Sequence, residues 1–174
     1  MREAISNTSP LLYLYQIEAL EWLSNLFGDV WVPNAVLDEL EQGRHRGYDV
    51  PDPVGYEWLQ VVEPNSVPEE WLTLDLGAGE LATLALGLEH PNRVVLVDER
   101  LARRVAQSAG LTVWGTLKIL LEAKSQGLTQ RIAPLVDRLS DKGMWISDVI
   151  RQQVLALACE DDEWGQHDEE SATH

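Results

Sequence analysis

Short apolar runs alternate along this chain with longer stretches in which apolar residues return every three or four positions. Ala4-Ile5-Ser6 reads as a short buried strand, and Leu11-Leu12-Tyr13-Leu14 opens a helix whose stripe continues through Leu20, Trp22, Leu23 and Leu26. Ser9 is placed to cap that helix, with Pro10 in its first turn. Val30-Trp31-Val32 is a second strand stopped by Pro33; Asn34 then caps a helix carrying Val36, Leu37 and Leu40, which Gly43 ends. Residues 43–57 hold three Gly, two Pro and two Arg and read as a loop or a weak helix. Leu59-Gln60-Val61-Val62 is a third strand closed by Pro64, and residues 65–76 form a connection.

Gly79 to Glu89 is predicted helical, with Leu81, Leu84, Ala85 and Leu88 on one face. Arg93 to Val97 is the clearest strand, because a run of β-branched residues suits a sheet covered on both faces. A helix over Leu101–Ala109 ends at Gly110, Leu111-Thr112-Val113-Trp114 is the last strand, and Leu117–Ser125 is a helix stopped by Gly127. Helices near 130–142 and 148–158 follow, the second capped by Ser147. Strands alternating with helices predict a three-layer α/β/α domain with a mostly parallel central sheet, spanning residues 1–159.

Charge changes this picture in two places. Formal net charge is −16, and residues 160–174 carry seven acids and no Lys or Arg, so they read as an acidic, disordered tail. The rest of the chain is acidic even without them, which counts against passive binding to nucleic acid. Bases are local: between residues 3 and 92 only Arg44 and Arg46 occur, whereas Arg93, Arg100, Arg103, Arg104, Lys118 and Lys124 follow closely. One cysteine, Cys159, excludes an internal disulfide and zinc-type cysteine spacing. The start has no apolar h-region and no apolar run reaches the roughly 18 residues of a membrane span. A soluble, cytoplasmic protein with no membrane partner is expected.

Candidate chemistry lies at the strand ends. Asn7 directly follows the first strand, Asp98-Glu99 directly follow the clearest one, Glu39 lies one to two turns into the helix after the second strand, and Glu80 lies at the first turn of its helix. Oxygen ligands converging at the carboxyl edge of a parallel sheet suit a hard divalent cation and phosphodiester chemistry. Each residue also has a plainer use: Glu39 as a solvated helix residue, Glu80 at a favourable helix N-terminus, Asp98 as a turn or N-cap residue, Asn7 in an Asx-type turn. The four histidines and seven tryptophans show no ligand spacing; Trp71 and Trp145 are candidates for base stacking or, more simply, for packing.

The chain resembles the PIN-domain family through five segments in order: Ser6-Asn7-Thr8-Ser9-Pro10-Leu11; Val32-Pro33 with Val36 and Glu39-Leu40; Leu76-Gly77-Ala78-Gly79-Glu80; Leu96-Val97-Asp98-Glu99 with Ala102-Arg103; and Gly110-Leu111-Thr112-Val113 with Gly115-Thr116-Leu117. The resemblance covers about residues 3–158. It implies RNA cleavage with Mg2+ or Mn2+ held by three or four acids, and often a toxin whose partner is a basic antitoxin-like protein. Carried over, Asn7 takes the first acidic position, Glu39 the second and Glu80 the third. The fourth falls on Asp98, by closeness to the strand end, or on Glu99, by the helix register of Ala102 and Ala106.

Under that resemblance Thr8, Ser9 and Thr116 are placed to orient a water, and Arg100, Arg103 and Arg104 to hold RNA phosphates. A homodimer through Leu12, Tyr13, Tyr15 and Trp22 is implied as well. The departure is Asn7, whose amide ligates a cation without supplying charge or a base. A weakened module that binds RNA or a protein without cutting is therefore the second expectation.

Overall fold

The structure is a computed structural model that describes residues 2–160. Five strands form one sheet: β1 (Ala4–Ser6), β2 (Val30–Val32), β3 (Leu59–Val61), β4 (Val94–Leu96) and β5 (Val113–Trp114). Their order is β3-β2-β1-β4-β5 and every neighbouring pair is parallel. Central β1 pairs Ile5 with Trp31 on one side and with Val95 on the other. Both β1 and β4 are buried at every position, as strands covered on both faces must be.

Between the strands run α1 (Thr8–Gln16), α2 (Trp22–Phe27), α3 (Asn34–His45), α4 (Ala78–Glu89) and α5 (Arg100–Ser108). The chain steps outward from β1 to β3, then returns through α4 to place β4 on the other side of β1. The crevice at a switch in strand order lies outside the carboxyl ends of the strands, here those of β1 and β4. Helix α4 packs tightly on β4. A Cβ on Gly87 would lie 2.8 Å from Val95 Cγ2 and 3.1 Å from Leu111 Cδ1, so glycine lets the helix approach. Leu84, Ala85, Val95, Val97, Ala102 and Ala106 form the core of this layer.

The described residues group into two compact units that meet in sequence at Thr116 and Leu117. The first contains the whole sheet. The second contains α6 (Thr116–Ser125) beyond its first residue, α7 (Ala133–Asp141) and α8 (Asp148–Leu157). Ser147 caps α8 as expected, its Oγ accepting from the Ile150 amide at 3.1 Å. No helix among the described residues is long and apolar enough to cross a membrane.

Several local expectations are corrected. The single stripe over residues 11–26 is two helices, because Glu18 takes a left-handed conformation at φ 62° and Ala19 donates back to Leu14 O at 2.8 Å. Ser9 is not a cap: Asn7 holds that position and Ser9 lies inside α1. Asn34 likewise begins the helix proper, with Pro33 before it. Gly43 does not end α3. Val50 Cγ1 sits 3.3 Å from where its Cβ would be, and the chain leaves the helix near Gly47, at φ 86°. Arg93 belongs to the fold rather than to a basic surface. It is 7% exposed, lies 3.3 Å over the Trp31 ring, donates to Ala4 O and pairs with Glu3.

Glu160, grouped by composition with the tail, is buried in the second unit. Its carboxylate accepts from the amides of Ile132 and Ala133 at 3.0–3.1 Å and pairs with Lys124 Nζ at 3.0 Å. It thus caps α7 from outside, at the positive end of the helix dipole. Burial alone would raise its pKa; the two amides and the ammonium outweigh this and hold it below the ordinary carboxylate value. The rest of the expected tail, residues 161–174, lies outside the described residues.

Glu160→Gln is expected to lower stability at neutral pH by about 1–3 kcal/mol, the usual scale for hydrogen bonds to a charged group. A depressed folded-state pKa contributes stability above the unfolded value of 4.5 and loses it as pH falls through the folded value. Melting curves of the two proteins should therefore converge as pH drops below 4.5. A constant gap would mean that charge is not what Glu160 supplies.

Candidate active site

Asn7 continues the β1–β4 ladder one residue beyond the strand, its amide donating to Leu96 O at 3.0 Å. The same residue is the N-cap of α1, yet its side chain makes no capping bond. Instead Asn7 Nδ2 donates to Glu99 Oε2 at 3.2 Å. That orientation follows from chemistry, since an amide oxygen there would face a carboxylate oxygen. Asn7 is 2% exposed, and its Oδ1 is buried with no hydrogen-bond partner among the described residues. Leaving such an acceptor unmet costs about 1–3 kcal/mol, so it needs a reason.

The next two residues hold two different carboxylates. The Thr8 hydroxyl donates to Glu39 Oε2, and the Ser9 hydroxyl donates to Glu99 Oε1 at 2.6 Å. Glu39 Oε1 accepts the Gly79 amide at 3.0 Å. A Cβ on Gly79 would lie 2.6 and 2.7 Å from the two Glu39 oxygens, so the carboxylate occupies the space that glycine leaves. Residues 7–9 thereby connect the β1–α1 corner to α3, α4 and the β4–α5 corner.

Glu80 sits one residue further into α4, where its Oε2 accepts the Gly77 amide at 3.0 Å. This is half of a capping box, because Gly77 has no side chain to return the bond. Burial raises the Glu80 pKa first, against the Gly77 bond; Glu99, Glu39 and Asp75 raise it further by repulsion. The plain reading of Glu80 as a helix-start residue thus applies.

Asp98 is held apart from its neighbour. Its Oδ1 accepts the Thr116 amide and its Oδ2 the Thr116 hydroxyl, both at 2.7 Å. Burial raises its pKa, the two Thr116 bonds and Arg103 oppose this, and the Glu99 charge adds to it. Gly115 permits the packing, since a Cβ there would meet Asp98 Oδ1 at 3.2 Å and Arg103 Nη1 at 3.3 Å. Both oxygens of Asp98 therefore tie β4 to the start of α6, whereas Glu99 faces Asn7 and Ser9.

The protons of Thr8, Ser9 and Thr116 are committed to carboxylates. Arg103 lies beside Asp98, while Arg100 and Arg104 are exposed and have no ion-pair partner among the described residues. Arg104 borders a surface cavity of about 430 Å³ with Trp71 and Leu101. Trp71 is 8% exposed and packs in the core, which settles it as a packing residue. Lys118 pairs with Glu122, and Lys124 with Glu160.

Tyr13, expected at a dimer face or packed in the core, is half-buried. Burial raises its pKa first, followed by the nearby charges of Asp98 and Glu99, so it lies toward the acids. Its place four residues after Ser9 on α1 was the available signal. The cradle at Gly79 was signalled only by the Gly-Ala-Gly run before Glu80.

Among the described residues no group of three or more His, Cys, Asp or Glu side chains converges closely enough to hold a metal ion. The donor types nevertheless fit a hard divalent cation: carboxylate oxygens from Glu39, Glu80 and Glu99, and an unpaired amide oxygen from Asn7.

The PIN-domain family matches residues 3–160 of the chain, and the chain belongs to that family. The fold is accordingly a nuclease-type fold. No curated protein and no solved structure matches the chain.

Gly79→Ala is expected to displace the Glu39 carboxylate without unfolding α4, because the obstructing atoms end a flexible side chain. Alanine favours a helix over glycine by about 1 kcal/mol, so melting should stay within about that margin of the parent or rise. A crystal structure of the variant should show Glu39 turned away from Thr8. An unmoved Glu39, or a large loss of stability, would contradict the cradle.

Proposed function

We propose that this chain is a metal-dependent endoribonuclease that hydrolyses RNA phosphodiester bonds, and that it acts as the toxin of a toxin–antitoxin-type pair. One observation carries the nuclease part. Glu39 and Glu99 are fixed by Thr8 and Ser9, the two residues that follow Asn7, whose buried Oδ1 has no hydrogen-bond partner among the described residues, at the switch point of a parallel sheet. The toxin part rests on family kinship and on the net charge of −16, which suits a basic antitoxin-like partner.

In this reading Asn7, Glu39, Glu80 and Glu99 hold Mg2+ or Mn2+. Asp98 is a positioning residue that locks the β4–α5 corner to Thr116. When bound, the cation supplies Lewis-acid polarisation of a phosphate and a more acidic water. Thr8 and Ser9 aim their carboxylates by donating to them. Arg100 and Arg104, exposed on α5, neutralise phosphates flanking the scissile bond, and bidentate contacts suit them to it. They also offset the repulsion that an acidic protein exerts on RNA. The same reading takes the protein as a cytoplasmic homodimer, with Leu12, Tyr15 and Trp22 of the first two helices at the contact; all three are half-buried in the single chain.

The second reading is a PIN module that binds RNA or a protein without cutting. The neutral side chain of Asn7 at the first acidic position favours it.

Labelled single-stranded RNA incubated with Mn2+, Mg2+ or EDTA separates the two. Glu80→Gln keeps an acceptor for the Gly77 amide and removes a like charge, so its melting temperature is not expected to fall. Its cleavage rate is expected to drop by at least about 10–100-fold. Metal-independent cutting, or full activity in the variant, would remove these acids from the chemistry. A folded wild-type protein that cuts under no metal would favour the binding module.

A further inference from the structure

Asn7 has two polar atoms, and they face different tasks. Nδ2 donates to Glu99 Oε2 at 3.2 Å, so the side chain is directed into the acidic edge. Oδ1 shares that buried position and accepts from no donor among the described residues. An aspartate at this place would have no N–H to offer, and its second oxygen would press against the Glu99 carboxylate. Glu99 already repels Glu80 and Asp98. A neutral amide supplies attraction where a carboxylate would supply repulsion, and still leaves one oxygen for a cation.

We propose that Asn7 substitutes for part of the cation's structural role: its amide holds Glu99 in place before any cation arrives, and its free Oδ1 then serves as one ligand. The inference rests on the proposed cation site and adds what is particular to this chain. The Asn7–Glu99 contact needs no cation, because an amide donor and a carboxylate attract one another directly. What is gained in metal-free stability is lost in affinity, because one ligand carries no charge.

Two variants test this by binding and melting rather than by activity. Asn7→Asp restores a carboxylate. In EDTA it is expected to melt about 3–6 °C below the wild type, a scale set by the loss of one favourable contact and the gain of one repulsion. Saturating Mn2+ should close or reverse the gap, and Mn2+ measured by electron paramagnetic resonance should bind at least tenfold more tightly than to the wild type. Asn7→Leu keeps the approximate volume and removes both polar atoms; its Mn2+ affinity should fall at least tenfold.

Asn7→Asp melting like the wild type in EDTA would overturn the clamp. Asn7→Leu binding Mn2+ as well as the wild type would overturn Oδ1 as a ligand, while leaving the cation site itself standing. A folded wild-type protein that binds no Mn2+ would overturn the cation site and this inference with it.

Discussion

Mutual repulsion among carboxylates governs the carboxyl edge of this sheet. Glu39, Glu80 and Glu99 come from α3, α4 and the β4–α5 corner, and the latter two feel one another's charge. Arg103 sits against Asp98 and opposes part of that charge. Every other contact there answers the repulsion with a neutral donor. Thr8, Ser9, Asn7 and the amides of Gly77, Gly79 and Thr116 each spend a proton on an acid. Neutral donors attract an anion without cancelling its charge. The edge therefore keeps its negative field while its geometry is fixed, which is what a cation site requires.

Strand β1 makes this possible by being short and central. Three residues suffice to bury it between β2 and β4, and the chain turns into α1 at once. The residues that turn are also those that reach the acids. A longer β1 would carry Asn7, Thr8 and Ser9 up and away from the plane of Glu39 and Glu99. The close packing of α4, allowed by Gly87 at one end and Gly79 at the other, brings Glu80 to the same edge.

The strand ends and the placement of the acids beside them were legible in the sequence because they depend on local rules. Buried β-branched runs mark strands, and acids directly after them mark the carboxyl edge. What was illegible depends on partners distant in sequence. Gly43 looks like a helix stop until Val50 fills the space beside it. Arg93 looks like one of a basic group until Trp31, Ala4 and Glu3 surround it. Glu18 carries no glycine-like signal for the left-handed turn that divides the first helix from the second. Asp98 and Glu99 are adjacent and chemically alike, so only the third dimension separates the one bound to Thr116 from the one bound to Asn7 and Ser9.

Glu160 is the last described residue, and its carboxylate closes the start of a helix that begins 27 positions earlier. A boundary drawn by composition separates Glu160 from the unit it packs in, since an unbroken acidic run begins directly after Cys159. A shortened version of the protein that stops at Cys159 would leave the amides of Ile132 and Ala133 without their acceptor and Lys124 without its counter-ion, whereas one that stops after Glu160 would keep all three satisfied.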